Sequence, residues 1–109
     1  MQVEESTSTK DNEVVGFLYH MEGPAAGDID KLLEGRNTLG TSVECSLRLA
    51  DPSVSAKHAS LRYENDEYVL RDLDSKNGTY VNGEEVVTHK LTENDVIVVG
   101  DTKLKFKML

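Results

Sequence analysis

Hydrophobic positions in this chain recur at a spacing of two, in short runs broken by polar turns. The clearest run is Ala59 to Leu73. Ala59, Leu61 and Tyr63 alternate with Ser60, Arg62 and Glu64, and Asn65-Asp66 form a two-residue connection. Tyr68 and Leu70 then return opposite Tyr63 and Leu61. Side chains on a strand alternate between faces, so this unit reads as a β-hairpin with one buried face. Val14 to Met21 is rich in β-branched and aromatic residues and ends at Gly23-Pro24, which predicts a strand and a loop. Asp30 to Glu34 predicts a short second strand. Leu47 and Leu49 alternate with Ser46, Arg48 and Ala50 until Asp51-Pro52 stops the run. Thr79 to Val81, Glu84 to Val87, Val96 to Val99 and Lys103 to Met108 complete the strands. No window keeps the 3.6-residue period over helical length. Many short strands with polar turns predict an all-β fold, a β-sandwich.

The first residues break this pattern. Met1 to Glu13 holds one apolar residue after the initiator and a concentration of Ser, Thr and acid. Such a segment buries too little apolar surface to offset its ordering entropy, so residues 1–13 are expected to form a disordered acidic tail and residues 14–109 the folded domain. At 109 residues the chain fits one domain. No run approaches the roughly 20 apolar residues of a membrane-crossing helix. Twelve Lys and Arg against 20 Asp and Glu give a formal charge of -8, which argues against nucleic acid and against anionic membranes as partners. The single Cys45 excludes an intramolecular disulfide framework and reads as a small buried hydrophobe in a reducing compartment. With no secretory signal at the start, the expected location is cytoplasmic.

The loops hold more specific chemistry than turns require. Gly35-Arg36 follows a strand, Ser55 to Ala59 precedes the hairpin, Asp72 to Thr79 follows it, and Val81-Asn82-Gly83 comes next. Arg36 offers a bidentate fork, Ser55 a hydroxyl, Lys57 and Lys76 point charges, and Asn77 an amide. Loops at one end of a sandwich can converge on a ligand, and these donors suit an oxyanion, phosphate above all. The plainer reading, turn residues and solvated charges, serves Gly78 and Gly83 better than it serves Arg36, Ser55 and Asn77 together.

Competing motifs fail on their own chemistry. Gly35 to Gly40 has P-loop spacing, but Thr41 stands where the lysine must be and no helical pattern follows. Asp72-x-Asp74 would need Gly and Glu at the sixth and twelfth positions of a calcium loop, where Asn77 and Gly83 stand. Asn77-Gly78-Thr79 matches a glycosylation acceptor only as turn chemistry. His20, His58 and His89 lack metal-ligand spacing, so no metal or other cofactor is expected. No nucleophile, base and orienter assemble, so the chain is not read as an enzyme.

The spacing of these segments resembles the forkhead-associated (FHA) domain from about Val14 to Leu109. The family pattern is Gly-Arg after an early strand, Ser-x-x-His-Ala, Asp-Leu-x-Ser-x-Asn-Gly-Thr, Val-Asn-Gly, then a late Gly-Asp-x-Ile-x-x-Gly. Here those stand as Gly35-Arg36, Ser55 to Ala59, Asp72 to Thr79, Val81 to Gly83, and Asn94 to Ile97 with Gly100. The resemblance implies a β-sandwich of about 11 short, mainly antiparallel strands whose loops at one end bind phosphothreonine. It implies that Arg36 and Ser55 contact the phosphate, that Lys57 and Lys76 flank it, and that Asn77 holds the peptide backbone. It gives His58 a bracing role and lets Gly35, Gly78, Asn82 and Gly83 shape the loops. Two positions depart: Ala56 stands where Arg is common, and Asn94 where Gly is common.

The resemblance thus implies a phosphothreonine-dependent protein-binding module in kinase signalling, its partner a phosphorylated protein such as a Ser/Thr kinase or its substrate. The alternative is a phospho-independent interaction or structural domain that keeps the fold, which Ala56 and the negative charge favour. Thr7 and Thr9 in the tail are candidate phosphoacceptors. A phosphothreonine there would turn a monomer into a phosphorylation-dependent dimer, because the resemblance puts both chain ends away from the binding loops.

Overall fold

The computed structural model describes residues 13–109. Among the described residues eleven strands follow one another without a helix: β1 (Val14–Glu22), β2 (Ile29–Leu33), β3 (Gly35–Gly40), β4 (Leu47–Arg48), β5 (Ala59–Glu64), β6 (Glu67–Asp72), β7 (Thr79–Val81), β8 (Glu84–Val86), β9 (Thr88–Lys90), β10 (Val96–Val99) and β11 (Thr102–Met108). They form a six-stranded sheet in the order β2-β1-β11-β10-β7-β8 and a five-stranded sheet in the order β4-β3-β5-β6-β9. β3 and β4 pair parallel; the other registers are antiparallel. Among the described residues no helix is long and apolar enough to cross a membrane.

Each sheet contributes alternate residues to one core. Leu18, Leu32, Ile97, Leu104 and Phe106 from the first sheet meet Leu39, Leu61 and Leu70 from the second, all at most 1% exposed. The β5–β6 hairpin has the expected register, Leu61 opposite Leu70 and Tyr63 opposite Tyr68. Its turn, Asn65-Asp66, has both φ angles positive, as a two-residue turn of this hand requires. The β7–β8 hairpin uses Asn82-Gly83 in the same way. Asn94 occupies a left-handed conformation (φ 73°), which Asn tolerates where Gly is common.

Two strands were missed by the alternation. β3 has a polar residue at an inward position, Asn37, only 3% exposed. Its amide donates to the carbonyls of Leu33 and Leu61 and accepts the Leu33 N–H, each at 3.0 Å, so the inward face is satisfied without being apolar. β9, Thr-His-Lys, is an edge strand with no apolar residue to mark it. The second strand runs from Ile29 to Leu33, one residue earlier than the pattern suggests.

Candidate functional site

The loop between β4 and β5 is pinned at both ends. At its start, buried Asp51 accepts the N–H groups of Ser53 and Asp101 at 2.9 Å and the Thr102 hydroxyl at 2.7 Å. Burial pushes this carboxyl up, but the hydrogen bonds from Thr102, Ser53 and Asp101 outweigh it and hold the group below the ordinary carboxylate value. Gly100 in the β10–β11 turn must be glycine, because a Cβ there would lie 2.9 Å from the Ser53 carbonyl. At the loop's end stands His58, wholly buried. Its Nδ1 accepts the Ser55 N–H at 3.1 Å, which fixes the proton on Nε2, and Nε2 donates to the Gly78 carbonyl at 2.8 Å.

The loop between β6 and β7 is wound round Asp72. That carboxylate accepts the Ser75 hydroxyl at 2.5 Å, the Thr79 hydroxyl at 2.7 Å and the Ser75 N–H at 3.1 Å; the Ser75 Oγ in turn accepts the Gly78 N–H at 2.9 Å. Desolvation raises the Asp72 carboxyl, and the hydrogen bonds from Ser75 and Thr79 reverse this and leave it lowered. Gly78 has φ 88°, a conformation that L residues adopt with strain.

Ser55 joins the two loops. Its Oγ accepts the Lys76 N–H at 3.0 Å, which orients the hydroxyl and leaves its own proton to donate elsewhere. Asn77 donates through Nδ2 to the Ser53 carbonyl at 2.8 Å, which leaves Oδ1 for another donor. Ser55, Lys76 and Asn77 line one shallow pocket with Pro52, Ser53 and Val54. Lys57 is exposed and meets exposed Glu44 at 3.3 Å, a pair weak enough to exchange for another anion.

Arg36 is placed differently from the sequence expectation. It is not in a loop: it lies on β3, its backbone opposite Arg62 of β5. Its side chain still lines a depression together with Lys57, Thr38, Glu44, Cys45 and Leu73. The glycine that the loop packing demands is Gly40 at the other end of β3. A Cβ on Gly40 would lie 2.1 Å from the Ala56 carbonyl oxygen, whereas one on Gly35 would meet nothing within 4 Å. The residue after Gly40 is Thr41, whose N–H donates to the Ser55 carbonyl at 3.2 Å. The Gly-Arg pair in the sequence and the glycine at the loop corner are therefore different positions, and the corner carries Thr41 and Ala56 rather than arginine. The sequence pattern gives Thr41, Asp51 and Ser53 no part in the site. Asp51-Pro52 marks only the end of a strand in the sequence.

Asn82 does not join the Asp72 loop. Its amide donates to Asp95 and accepts the Val96 N–H, both at 3.0 Å, and so ties the β7–β8 turn to the start of β10. Gly83 completes that turn with φ 89°. Cys45 is buried and its thiol donates to the Ala56 carbonyl at 3.3 Å. Thr7 and Thr9 lie outside the described residues.

The family model described as the FHA domain matches residues 35–100. FhaA, an FHA domain-containing protein of Mycobacterium tuberculosis, is 35% identical over 76% of this chain and 16% of its own length. The glycogen accumulation regulator GarA of the same species is 37% identical over 83% of this chain and 56% of its own length. The chain thus spans a small part of the first relative and just over half of the second. A solved structure from a structural and functional analysis of phosphothreonine-dependent FHA domain interactions superposes with a TM-score of 0.80 at 32% identity, covering 87% of this chain and 97% of that one. The family model covers more than half of the chain, the relatives are more than 30% identical, and the solved structure shares the fold, so this chain belongs to the FHA domain family.

Proposed function

We propose that residues 14–109 form a phosphothreonine-dependent protein-binding module with no catalytic role, and that the phosphate binds at the Ser55 loop. The observation that carries this reading is the Ser55 hydroxyl. Its Oγ accepts the Lys76 N–H, which orients the hydroxyl with its proton free to donate, and exposed Lys57 and Lys76 supply charge beside it. Hydrogen bonds to a charged group contribute about 1.5–3 kcal/mol each, so one hydroxyl and two ammonium groups account for a usable site without a metal. Asn77, held through its Nδ2 on the Ser53 carbonyl, would accept a peptide N–H through Oδ1, and Arg36 lines the depression that also holds Lys57. His58, Gly78 and the Asp72 network hold the donors in register. A solved relative at 32% identity comes from work on phosphothreonine-dependent interactions, which supports the same ligand. The partner is a phosphorylated protein, a Ser/Thr kinase or its substrate. The buried free thiol of Cys45 is in keeping with a cytoplasmic site of action. The test is calorimetric titration with a phosphothreonine peptide library beside unphosphorylated copies.

One observation favours a second reading, phospho-independent binding through the same surface: Thr41 and Ala56 leave the loop corner without an arginine fork. Equal affinity for phosphorylated and unphosphorylated peptides would select it.

A further inference from the structure

The outer face of the five-stranded sheet carries an arrangement that the fold alone does not explain. Arg36 on β3 stands directly opposite Arg62 on β5. Arg71 on β6 is opposite Ser60, two residues before Arg62 on the same face, which makes it Arg62's diagonal neighbour. Like charges directly opposite on neighbouring strands are destabilising, so this face keeps an unfavourable contact. The cost is kept in a chain whose formal charge is -8. Arg62 pairs with exposed Glu64 at 2.9 Å, and Lys90 on the same face pairs with Glu67 at 3.1 Å. Among the described residues no ion pair joins Arg36 or Arg71 to a carboxylate. The three guanidinium groups line a broad depression of about 550 Å³ with Ser60, Val69 and Leu73. Arg36 and Leu73 also line the depression that holds Lys57, so the face is continuous with the loop end.

We infer that this arginine face is a second, anionic docking surface, which takes an Asp/Glu-rich segment of the protein partner beside the loop-bound residue. The inference rests on the proposed function for the nature of the partner and not for its phosphate. Cross-strand neighbours about 5 Å apart and diagonal ones about 7–8 Å apart set the three arginines in a row across the strands, a spacing that suits successive carboxylates of an extended segment. A partner with acidic residues on one side of its phosphothreonine would bind both surfaces at once, and the second contact adds by effective concentration.

The experiment compares wild type, Arg62→Ala/Arg71→Ala and Ser55→Ala. The probes are a short phosphothreonine peptide, the same peptide with a Glu-rich or a Gln-rich extension on either side, and an unphosphorylated Glu-rich peptide. The Glu-rich extension on one side is expected to tighten wild-type binding about fivefold at 0.1 M salt and to lose that gain at 0.5 M. Arg62→Ala/Arg71→Ala should lose the gain while binding the short peptide within about twofold of wild type. Equal gains in wild type and this double variant overturn the inference. So does an equal gain from the Gln-rich extension. Should no phosphopeptide bind, the arginine Nε–H signals decide alone. Their selective shift with the unphosphorylated Glu-rich peptide, retained in Ser55→Ala, supports the acidic docking surface, and the absence of a shift overturns it.

Discussion

His58 Nε2 donates to the carbonyl oxygen of Gly78 at 2.8 Å, across 20 residues of chain and with the imidazole wholly buried. The same ring accepts the Ser55 N–H, so one neutral imidazole sets the distance between the loop that carries the hydroxyl and the loop that carries Lys76 and Asn77. Nothing exposed on His58 remains for a ligand, so its effect on binding passes through the geometry of its neighbours.

His58→Ala is therefore expected to cost stability first. It orphans a backbone N–H and a carbonyl and leaves a cavity, and each unsatisfied buried group costs about 1–3 kcal/mol. For a domain of this size two such groups lower Tm by roughly 10 °C or more. An unchanged melting curve would contradict the bracing role.

Ser55 and Arg36 should separate in a binding assay. Ser55→Ala removes the one hydroxyl oriented by the opposite loop and should weaken phosphopeptide binding about tenfold or more. Arg36→Ala, a change on β3 away from the loop corner, should weaken it less. The converse change is more informative. Thr41→Arg places a guanidinium beside Ser55, at the residue after Gly40, and should tighten phosphopeptide binding about tenfold. Calorimetry on the three variants checks the order; a larger loss for Arg36→Ala would move the phosphate towards β3.

Gly35 and Gly40, with the β5–β6 hairpin and Asn37, mark what the sequence could and could not convey. The β5–β6 hairpin was legible because its inward residues are apolar and its turn falls on Asn65-Asp66. β3 was not, because Asn37 is satisfied by three backbone partners that only the folded sheet supplies. Gly35-Arg36 stood out as a dipeptide, yet the need for a glycine at position 40 comes from the approach of Ala56, sixteen residues on in the chain and visible only once the loop is closed. Identity of residue type pointed to one end of the strand and packing points to the other.

Gly40→Ala should accordingly be far more damaging than Gly35→Asn. The new Cβ at position 40 would meet the Ala56 carbonyl oxygen and carbon at 2.1 and 2.8 Å, backbone atoms on a loop held by His58. The loop must move or the domain must open, and either outcome removes binding. Gly35 has open space and φ 86°, which Asn adopts at modest cost, about 1 kcal/mol or less. Thermal melts of the two variants give the comparison; equal destabilisation would mean that the Ala56 approach is relieved cheaply.

The tail's attachment limits what it can reach. The Glu13 carbonyl accepts the Glu34 N–H at 3.0 Å, just before β3, while Thr41 and Ser55 lie beyond its other end. Six strand residues span about 17 Å. Thr9 lies four residues before Glu13 and its Cα reaches at most about 14 Å, so its phosphate meets the Ser55 loop of the same molecule only with the tail fully extended, and a second molecule is the receptor expected. Light scattering of the Thr9-phosphorylated chain should show a concentration-dependent dimer that Ser55→Ala dissolves. A monomer with blocked peptide binding would mean capture within one molecule.

Acid should act on this domain in two separate steps. Asp51, Asp72 and Asp95 all have their carboxyls lowered: desolvation raises each, and hydrogen bonds overcome it, from Thr102, Ser75 and Thr92 among others. A carboxyl lowered by folding contributes stability that is present above its unfolded value of about 3.9 and is lost as pH falls through the folded value. These groups therefore leave Tm flat from pH 7 to about 5 and make it fall steeply below about 4. Phosphothreonine regains its second proton near pH 6 and loses charge while the loops are still intact. Affinity should thus drop between about pH 7 and 5 with no contribution from these three carboxyls to the melting temperature, and their loss should destabilise the fold only in stronger acid. Asp72→Asn separates the two: it should lower Tm at pH 7 and reduce the acid sensitivity of Tm, while the midpoint of the affinity loss stays near pH 6. A midpoint that moves with Asp72→Asn would assign the affinity loss to the loop and not to the ligand.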